Sequence, residues 1–230
     1  MIVGAYGNDG AGGTAGHARI YEWNGTTWNQ LGADIDGEAA GDQSGWSVAM
    51  SGNGNRVIIG ARFNDGNNSN SGHVRMYQWS GSAWVQMGAD INGESALDQF
   101  GYAVSMNDAG DRIAVGAINN DGNNSNSGHV RIYSWNGTSW GQVGADIDGE
   151  AGGDQSGYAV SLNAAGDKVV IGAASNDAGN FNNGHVRVYS YDGTSWSQQG
   201  QDIDGVDADD QLGYAAVSYT HLTLPTISRV

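Results

Sequence analysis

The chain has 230 residues, with 9 Lys and Arg against 25 Asp and Glu, so its formal net charge is −16. This acidity argues against nucleic acid and anionic membrane as partners, because binding phosphate requires a basic surface. The absence of Cys excludes disulfides, thiolate metal sites and a Cys nucleophile. No apolar run reaches the roughly 18 residues of a membrane span. The 39 Gly are compatible with disorder, but 8 Trp and 10 Tyr predict a packed core.

A repeat of 56 residues runs through the chain without an insertion. The residues that recur at this spacing are His17, His73, His129 and His185; Trp28, Trp84, Trp140 and Trp196; and Asp34, Asp90, Asp146 and Asp202. Four such copies indicate one supersecondary unit that is stacked repeatedly.

Each repeat contains four strand-like segments, which are clearest in the third copy. Residues 101–106 alternate small and large apolar side chains, and residues 112–117 are apolar on both faces, as in a strand covered on both sides. Residues 129–135 form a third strand. The Asn136-Gly137 dipeptide predicts a hairpin turn to a fourth strand over residues 140–147. No segment has helical periodicity.

Four antiparallel strands in one 56-residue unit are typical of a β-propeller blade. A solenoid repeat would normally be shorter, and a β-sandwich would not repeat itself so closely. We therefore predict an all-β fold, a partial β-propeller of four-stranded blades.

A pair of short motifs resembles the FG-GAP repeat of integrin-α-type propellers. Phe100-Gly101 is followed by Gly116-Ala117, and the same positions are Gly45 with Gly60-Ala61 and Gly157 with Gly172-Ala173. The resemblance extends over residues 1–215 and implies a propeller that acts in extracellular binding. The Asp-rich calcium loop that the family carries between its first two strands is not matched by residues 51–55.

The repeat predicts the domain organisation. We expect an FG-GAP-like propeller fragment over 1–215, and its segments are a partial blade (1–43), three blades (44–99, 100–155 and 156–211) and the start of a fifth (212–215). The chain begins at a second strand, so we expect it to be a fragment. Residues 216–230 are predicted to be a non-native tail, because residues 217–226 resemble a translated sequencing adapter; a diverged natural terminus is the alternative.

The loop between the fourth strand and the next blade carries acids around a Gly, a pattern that suits a hard cation such as Ca²⁺. The candidate metal ligands are Asp34, Asp36, Glu38 and Asp42 in the first copy; Asp90, Asn92, Glu94 and Asp98 in the second; Asp146, Asp148, Glu150 and Asp154 in the third; and Asp202, Asp204 and Asp210 in the fourth. The alternative is a solvated loop whose acids cap turns.

Other repeated residues have mainly structural explanations. The His recur one per blade, which does not suit a catalytic residue, and each Arg two positions later is expected to pair with a periodic Asp of the same or next blade. Aromatic pairs that flank each hairpin are expected to pack across strands, although Trp rows also bind sugars; the pairs are Trp23/Trp28, Trp79/Trp84, Trp135/Trp140 and Tyr191/Trp196. The Asn-rich loop between strands two and three is expected to satisfy its own hydrogen bonds, with a second cation or carbohydrate surface as the alternative.

These patterns predict a non-catalytic extracellular binding or adhesion module, with calcium as its expected cofactor. A protein or carbohydrate would be its ligand, and it would act outside the cell or at the cell surface. The alternatives are a part of a propeller enzyme of glycosidase or lyase type and a structural spacer. An enzyme would need unlike residues from different blades, whereas these blades are nearly identical.

Overall fold

The computed structural model describes residues 1–177 and 180–218. The predicted tail over 216–230 therefore lies largely outside the described residues. Within them the chain forms strands and turns and no helix, arranged in four antiparallel sheets. The all-β prediction is confirmed.

Successive sheets contain corresponding strands. The first contains β1 (Ile2–Ala5), β2 (His17–Trp23), β3 (Trp28–Gln30) and β4 (Ile35–Asp36). The second contains β5 (Ser44–Met50), β6 (Arg56–Ala61), β7 (His73–Trp79), β8 (Trp84–Gln86) and β9 (Ile91–Asn92). The third contains β10 (Phe100–Met106), β11 (Arg112–Ala117), β12 (His129–Trp135), β13 (Trp140–Gln142) and β14 (Ile147–Asp148). The fourth contains β15 (Ala159–Leu162), β16 (Lys168–Ala173), β17 (His185–Tyr191), β18 (Trp196–Gln198) and β19 (Ile203–Asp204).

The fourth strand of each blade is broken in two, so the prediction of one strand over residues 140–147 is wrong at its centre. β13 pairs with the end of β12 and β14 with its beginning. Gly144 between them has a φ of +77°, a left-handed conformation that ends the first segment. The Gln142 side chain holds the break by donating to the Gly144 carbonyl at 3.3 Å and to Asp146 Oδ1 at 2.6 Å.

The hydrophobic core lies between neighbouring sheets. Ile58, Val74 and Met76 of the second sheet pack with Phe100 and Ile113 of the third. Equivalent clusters join the first sheet to the second and the third to the fourth. Each blade thus buries its faces against its neighbours, which explains why β6 and β11 are apolar on both faces.

The Gly residues of the two short motifs meet at the junctions between blades. A Cβ on Gly60 would lie 2.3 Å from the carbonyl oxygen of Gly101 in the next blade, and one on Gly116 would lie 2.2 Å from that of Gly157. Gly101 also has a φ of +89°. Only Gly allows the backbones of adjacent blades to approach this closely.

Candidate functional site

Two loops lie at the same end of each blade: the acid-rich loop that follows the fourth strand and the Asn-rich loop between the second and third strands. Ala61 at the end of β6 is opposite His73 at the start of β7, and β9 pairs with that same start. The loop between β6 and β7 therefore lies beside the one that follows β9, and Asn67 Nδ2 donates to the Gly93 carbonyl at 3.1 Å. We call this end of the molecule the loop face.

The first acid of each set lies in the break of the fourth strand. A Gln side chain donates to one oxygen of each acid at 2.6 Å; the pairs are Gln30–Asp34, Gln86–Asp90, Gln142–Asp146 and Gln198–Asp202. In the first blade Arg19 binds both oxygens of Asp34, at 2.9 and 2.7 Å. These hydrogen bonds, chiefly that from Arg19, lower the pKa of Asp34 to about 2.

The second position of each set ends the short strand that pairs with the periodic His. It is occupied by Asp36, Asn92, Asp148 and Asp204. Two of these residues contact the next blade through the backbone, because the carbonyls of Asp36 and Asp148 accept from Arg75 Nη2 at 2.6 Å and Arg187 Nη2 at 2.8 Å. Burial raises the pKa of Asp148.

The first three sets contain a Glu, and each of these contacts an Arg of the following blade. Glu38 Oε1 lies 3.5 Å from Arg75 Nη1, and Glu150 Oε1 lies 3.5 Å from Arg187 Nη1. Glu94 pairs with Arg131 in the same way. Each of these Arg is at least nine-tenths buried, so the Glu supplies the charge that it requires. The predicted Asp partner is found for Arg19 and Arg131. For Arg75 and Arg187 the carboxylate partner is instead the Glu of the preceding blade, which the sequence did not indicate.

The last acid of each set caps its own loop. Asp42 is 4% exposed, and its Oδ2 accepts from the Ala39 amide at 3.0 Å and from Asn64 Nδ2 at 2.9 Å. Asp98, Asp154 and Asp210 cap the same turn. The turn-capping role considered for these acids is therefore observed at this position.

The acid side chains at the different loop positions thus have different partners. The first binds a Gln, the Glu pairs with an Arg of the following blade, and the last caps its own turn. The potential metal-ligand groups found among the described residues instead combine a His with acids, and in three of the four groups the Glu comes from the preceding blade. The groups are His17, Asp34 and Asp36; Glu38, His73 and Asp90; Glu94, His129 and Asp146; and Glu150, His185 and Asp202. In each group the candidate ligand atoms lie within 4.8 Å of one another, so these acidic and His residues could hold a metal.

Three of the His residues in these groups are buried deeply enough that their charged form is disfavoured. His73, His129 and His185 are each 1% exposed. Burial, assisted by the charge of Arg75, lowers the pKa of His73 to about 4. Burial also lowers the pKa of His129 and His185. Among the described protein atoms, none is a hydrogen-bond partner of Nδ1 in any of the three.

The paired Trp of each hairpin pack across strands, as expected. Trp79 and Trp84 have ring centroids 5.3 Å apart, and Trp135 and Trp140 are 5.4 Å apart. The second Trp also reaches the preceding blade, because Trp84 Nε1 donates to the Leu31 carbonyl at 2.8 Å.

The Asn-rich loop between β6 and β7 is held by its own hydrogen bonds, also as expected. Asp65 Oδ1 accepts from the Asn70 amide at 2.6 Å, and Asn64 Oδ1 accepts from the Gly66 amide at 2.8 Å. The loop repeats these bonds in the third blade at Asp121 and Asn120.

A row of aromatic rings crosses the blade junctions, and sequence reasoning did not identify it. Neighbouring centroids are 4.9, 5.7, 5.1 and 4.9 Å apart along Tyr6, Trp46, Tyr102, Tyr158 and Tyr214. The signal was present, since four of these residues recur every 56 positions directly after a Gly. The Arg62 guanidinium lies 3.3 Å from the Trp46 centroid. We call this row the aromatic ladder.

The sheets and their repeated junctions define an all-β repeat module of propeller type, with incomplete closure. The family model of the FG-GAP repeat matches residues 34–77 and 92–133. These two segments are therefore FG-GAP repeats, and the resemblance predicted from the Gly motifs is confirmed over them.

Comparison with solved structures supports the fold. The chain is similar to the crystal structure of a Bacteroides uniformis protein provisionally assigned as a 6-phosphogluconolactonase, with a TM-score of 0.57 and 11% sequence identity. The match covers 89% of this chain and 55% of that one, so the chain spans little more than half of its length. At this identity the likeness shows the fold alone. A search of curated proteins found no match.

The described residues also bear on membrane association. They include no helix with the length and apolar character needed to cross a bilayer.

Proposed function

We propose that the chain is a non-catalytic binding module of an extracellular or cell-surface protein, with a protein or carbohydrate ligand held on the loop face. The observation that carries this proposal is the near-identity of the loop face in successive blades. The same Asp and Asn hydrogen bonds order the loop in the second and third blades. A preordered surface that repeats suits a ligand which contacts several blades, because little conformational entropy is lost on binding.

The same repetition argues against catalysis. An active site needs unlike groups in different roles, such as an acid and a base whose pKa values differ. Each of the four groups in the described residues contains a His and at least one Asp, with an Arg two residues after the His. Three of the groups also contain a Glu of the preceding blade, which pairs with that Arg. This favours a shared structural or binding role over a single reacting centre.

The role of the loop face can be tested because exposed serines lie at both ends of β7, one on the loop face and one at the opposite end. Ser69 lies exposed on the loop face, and Ser82 lies exposed on the hairpin at the opposite end of β7. We expect the full chain to bind members of a glycan array or a panel of extracellular matrix proteins. Ser69→Arg should weaken that binding, and the matched control Ser82→Arg should leave it intact. Equal loss in both variants, or no binding at all, would contradict the proposal.

The enzymatic alternative has a direct test. The structural neighbour is provisionally assigned as a lactonase, so hydrolysis of 6-phosphogluconolactone by this chain can be measured. We expect no turnover above the spontaneous rate. Saturable turnover that one substitution in a single blade removes would identify an enzyme instead.

Calcium binding by the loop acids is a further part of the proposal. The extracellular setting supplies Ca²⁺, and oxygen-rich loops suit it. The acids of each loop form hydrogen bonds and ion pairs with different partners, so the loop would have to rearrange to bind a calcium ion. At matched ionic strength, Ca²⁺ should raise the melting temperature more than Mg²⁺, and Asp146→Asn with Asp148→Asn should reduce the difference. Equal effects of Ca²⁺, Mg²⁺ and Na⁺ would leave a solvated acidic loop.

A further inference from the structure

The junction between the first and second blades brings three potential ligand atoms to one point. His73 Nδ1 lies 3.8 Å from Glu38 Oε2 and 3.9 Å from Asp90 Oδ2. Glu38 comes from the loop after β4, whereas His73 and Asp90 belong to the next repeat. The group therefore spans two blades.

The other oxygen of each carboxylate is already held by the protein. Glu38 Oε1 faces Arg75 Nη1 at 3.5 Å, and Asp90 Oδ1 accepts from Gln86 Nε2 at 2.6 Å. These contacts fix both carboxylates and direct Oε2 and Oδ2 towards the imidazole. Such outer contacts are the usual means by which proteins orient metal ligands.

The imidazole provides independent evidence for a ligand. His73 is 1% exposed, and Nδ1 has no hydrogen-bond partner among the described protein atoms. A buried ring nitrogen without a partner is costly, and one that faces two carboxylate oxygens is well placed to share a cation with them. A related group lies at the junction of the third and fourth blades, where Glu150, His185 and Asp202 each offer a ligand atom within 4.8 Å of the others. There His185 is 1% exposed, its Nδ1 also lacks a partner, and it lies 3.8 Å from Asp202 Oδ2.

We propose that Glu38, His73 and Asp90, and likewise Glu150, His185 and Asp202, each bind a divalent transition-metal ion of the zinc class that joins neighbouring blades. Imidazole nitrogen suits zinc and its neighbours in the first transition row, whereas calcium takes oxygen ligands. Tetrahedral zinc holds its ligands at roughly 2.0–2.2 Å, which places the ligand atoms about 3.3–3.6 Å apart. His73 Nδ1 and the two carboxylate oxygens are 3.8 and 3.9 Å apart, so a shift of about 0.5 Å would let them bind one ion with a water as fourth ligand.

The two remaining His groups are excluded by Arg contacts. In the first blade Arg19 binds both oxygens of Asp34. In the third, Arg131 Nη2 donates at 2.8 Å to Asp146 Oδ2, the oxygen that faces His129. In both groups the guanidinium donates to the carboxylate oxygen that faces the His, whereas Arg75 faces Glu38 Oε1 and leaves Oε2 to the metal. The chain should therefore bind two ions and not four.

The test is a titration of the full, chelator-treated chain with Co²⁺, followed by its visible absorption, and with Zn²⁺, followed by calorimetry. We expect two ions per chain for each metal. Asp90→Asn should lower the number to one, because the amide still accepts from Gln86 but no longer offers an anionic oxygen. The matched control, Asp34→Asn in the first blade, should leave it at two. Adding His185→Gln to Asp90→Asn should abolish binding and remove the rise in melting temperature that Zn²⁺ causes.

Several outcomes would overturn the proposal. These are a stoichiometry other than two, an equal loss in Asp90→Asn and Asp34→Asn, and displacement of Co²⁺ by Ca²⁺ at similar concentration. Circular dichroism of each variant at matched temperature establishes that the blades remain folded, so a lost site is distinguished from a lost fold.

Discussion

At the scale of single residues, pairs of Gly set the distance between blades. Gly116 and Gly157 belong to adjacent blades, and a Cβ on the first would lie 2.2 Å from the carbonyl oxygen of the second. The contact involves backbone on both sides, so no side-chain rearrangement can relieve it. The two halves of the FG-GAP motif are thus explained by one contact.

We predict that Gly116→Ala destabilises the chain by at least about 1–3 kcal/mol, since overpacking forces backbone to shift. Gly141→Ala is the matched control, because nothing lies within 4 Å of its added Cβ. It should be neutral or stabilising by up to about 1 kcal/mol, through reduced entropy of the unfolded chain. Urea unfolding of both variants measures the difference. A Gly116→Ala variant as stable as the control would refute this account of the motif.

Acid should destabilise the fold partly through the buried His. The pKa of His73 is about 4 in the folded state against an ordinary value of 6.5, because burial disfavours the charged ring. The unfolded chain therefore binds the proton first, and stability is lost as pH falls from 6.5 towards 4. His73→Gln in the presence of chelator should flatten this part of the stability profile, measured by urea unfolding at each pH. An unchanged slope would show that other groups determine it.

The sequence predicted the residues of the site better than their grouping. The periodic acids and His were visible, and the pairing of each Arg was expected. The sequence could not predict that the Glu38 side chain contacts His73 and Arg75 of the next blade. That contact depends on how blades are rotated against one another, and the sequence of a single repeat does not contain this information.

At the scale of elements, the break in the fourth strand supplies a contact between blades. Met87 lies between β8 and β9, and its carbonyl accepts from Trp140 Nε1 of the next blade at 3.0 Å. Leu31 and Val143 occupy the same place and accept from Trp84 and Trp196. The break was missed because residues 140–147 read as a continuous strand, and only the left-handed φ of Gly144 reveals it.

Trp140→Phe should therefore weaken the junction. It removes a hydrogen bond worth about 1 kcal/mol and leaves a cavity beside the smaller ring. Trp28 is the matched control, because it occupies the same place in the first blade and is 52% exposed. We expect Trp28→Phe to change the melting temperature much less than Trp140→Phe, as measured by calorimetry. Equal shifts would mean that the indole contact between blades does not contribute.

At the scale of the whole molecule, apolar exposure is concentrated on the first and last sheets. The large apolar residues exposed there are Met1, Val3, Tyr6, Trp23 and Trp28 at one end, and Phe181, Ile203, Val206, Tyr214 and Val217 at the other. In the described part of the second and third blades, only Val85 and Leu97 are large apolar residues with a similar exposed fraction. Some of these positions are covered at the internal junctions: Trp28 is 52% exposed, whereas Trp84, at the same place in the second blade, donates to the Leu31 carbonyl of the preceding blade.

We predict that the chain self-associates through these end faces, because exposed apolar surface of this kind is a docking or aggregation site. The net charge of −16 opposes association, so added salt should strengthen it. Sedimentation velocity over a range of concentrations measures this. Trp28→Lys should weaken association, and Val85→Lys, with the same charge change on a middle sheet, should not. A single monomeric species at all concentrations would contradict the prediction.

The fold itself was largely predictable, because the same strand pattern recurs at a period of 56 residues and each copy supports the assignment made in the others. The strands over 112–117 and 129–135 were predicted with the bounds that β11 and β12 have. Their apolar faces follow directly from burial between neighbouring sheets. The contacts between blades could not be predicted, since they depend on the angle at which one copy meets the next.

The aromatic ladder has an optical consequence. Each of its rings comes from a different blade, with centroids 4.9–5.7 Å apart, so their excited states interact only while the blades are docked. Near-ultraviolet circular dichroism depends on such fixed aromatic surroundings. Trp46 is the one indole in the row and can accept excitation energy from the neighbouring tyrosines. The molecule therefore contains an intrinsic reporter that distinguishes separation of blades from unfolding within a blade.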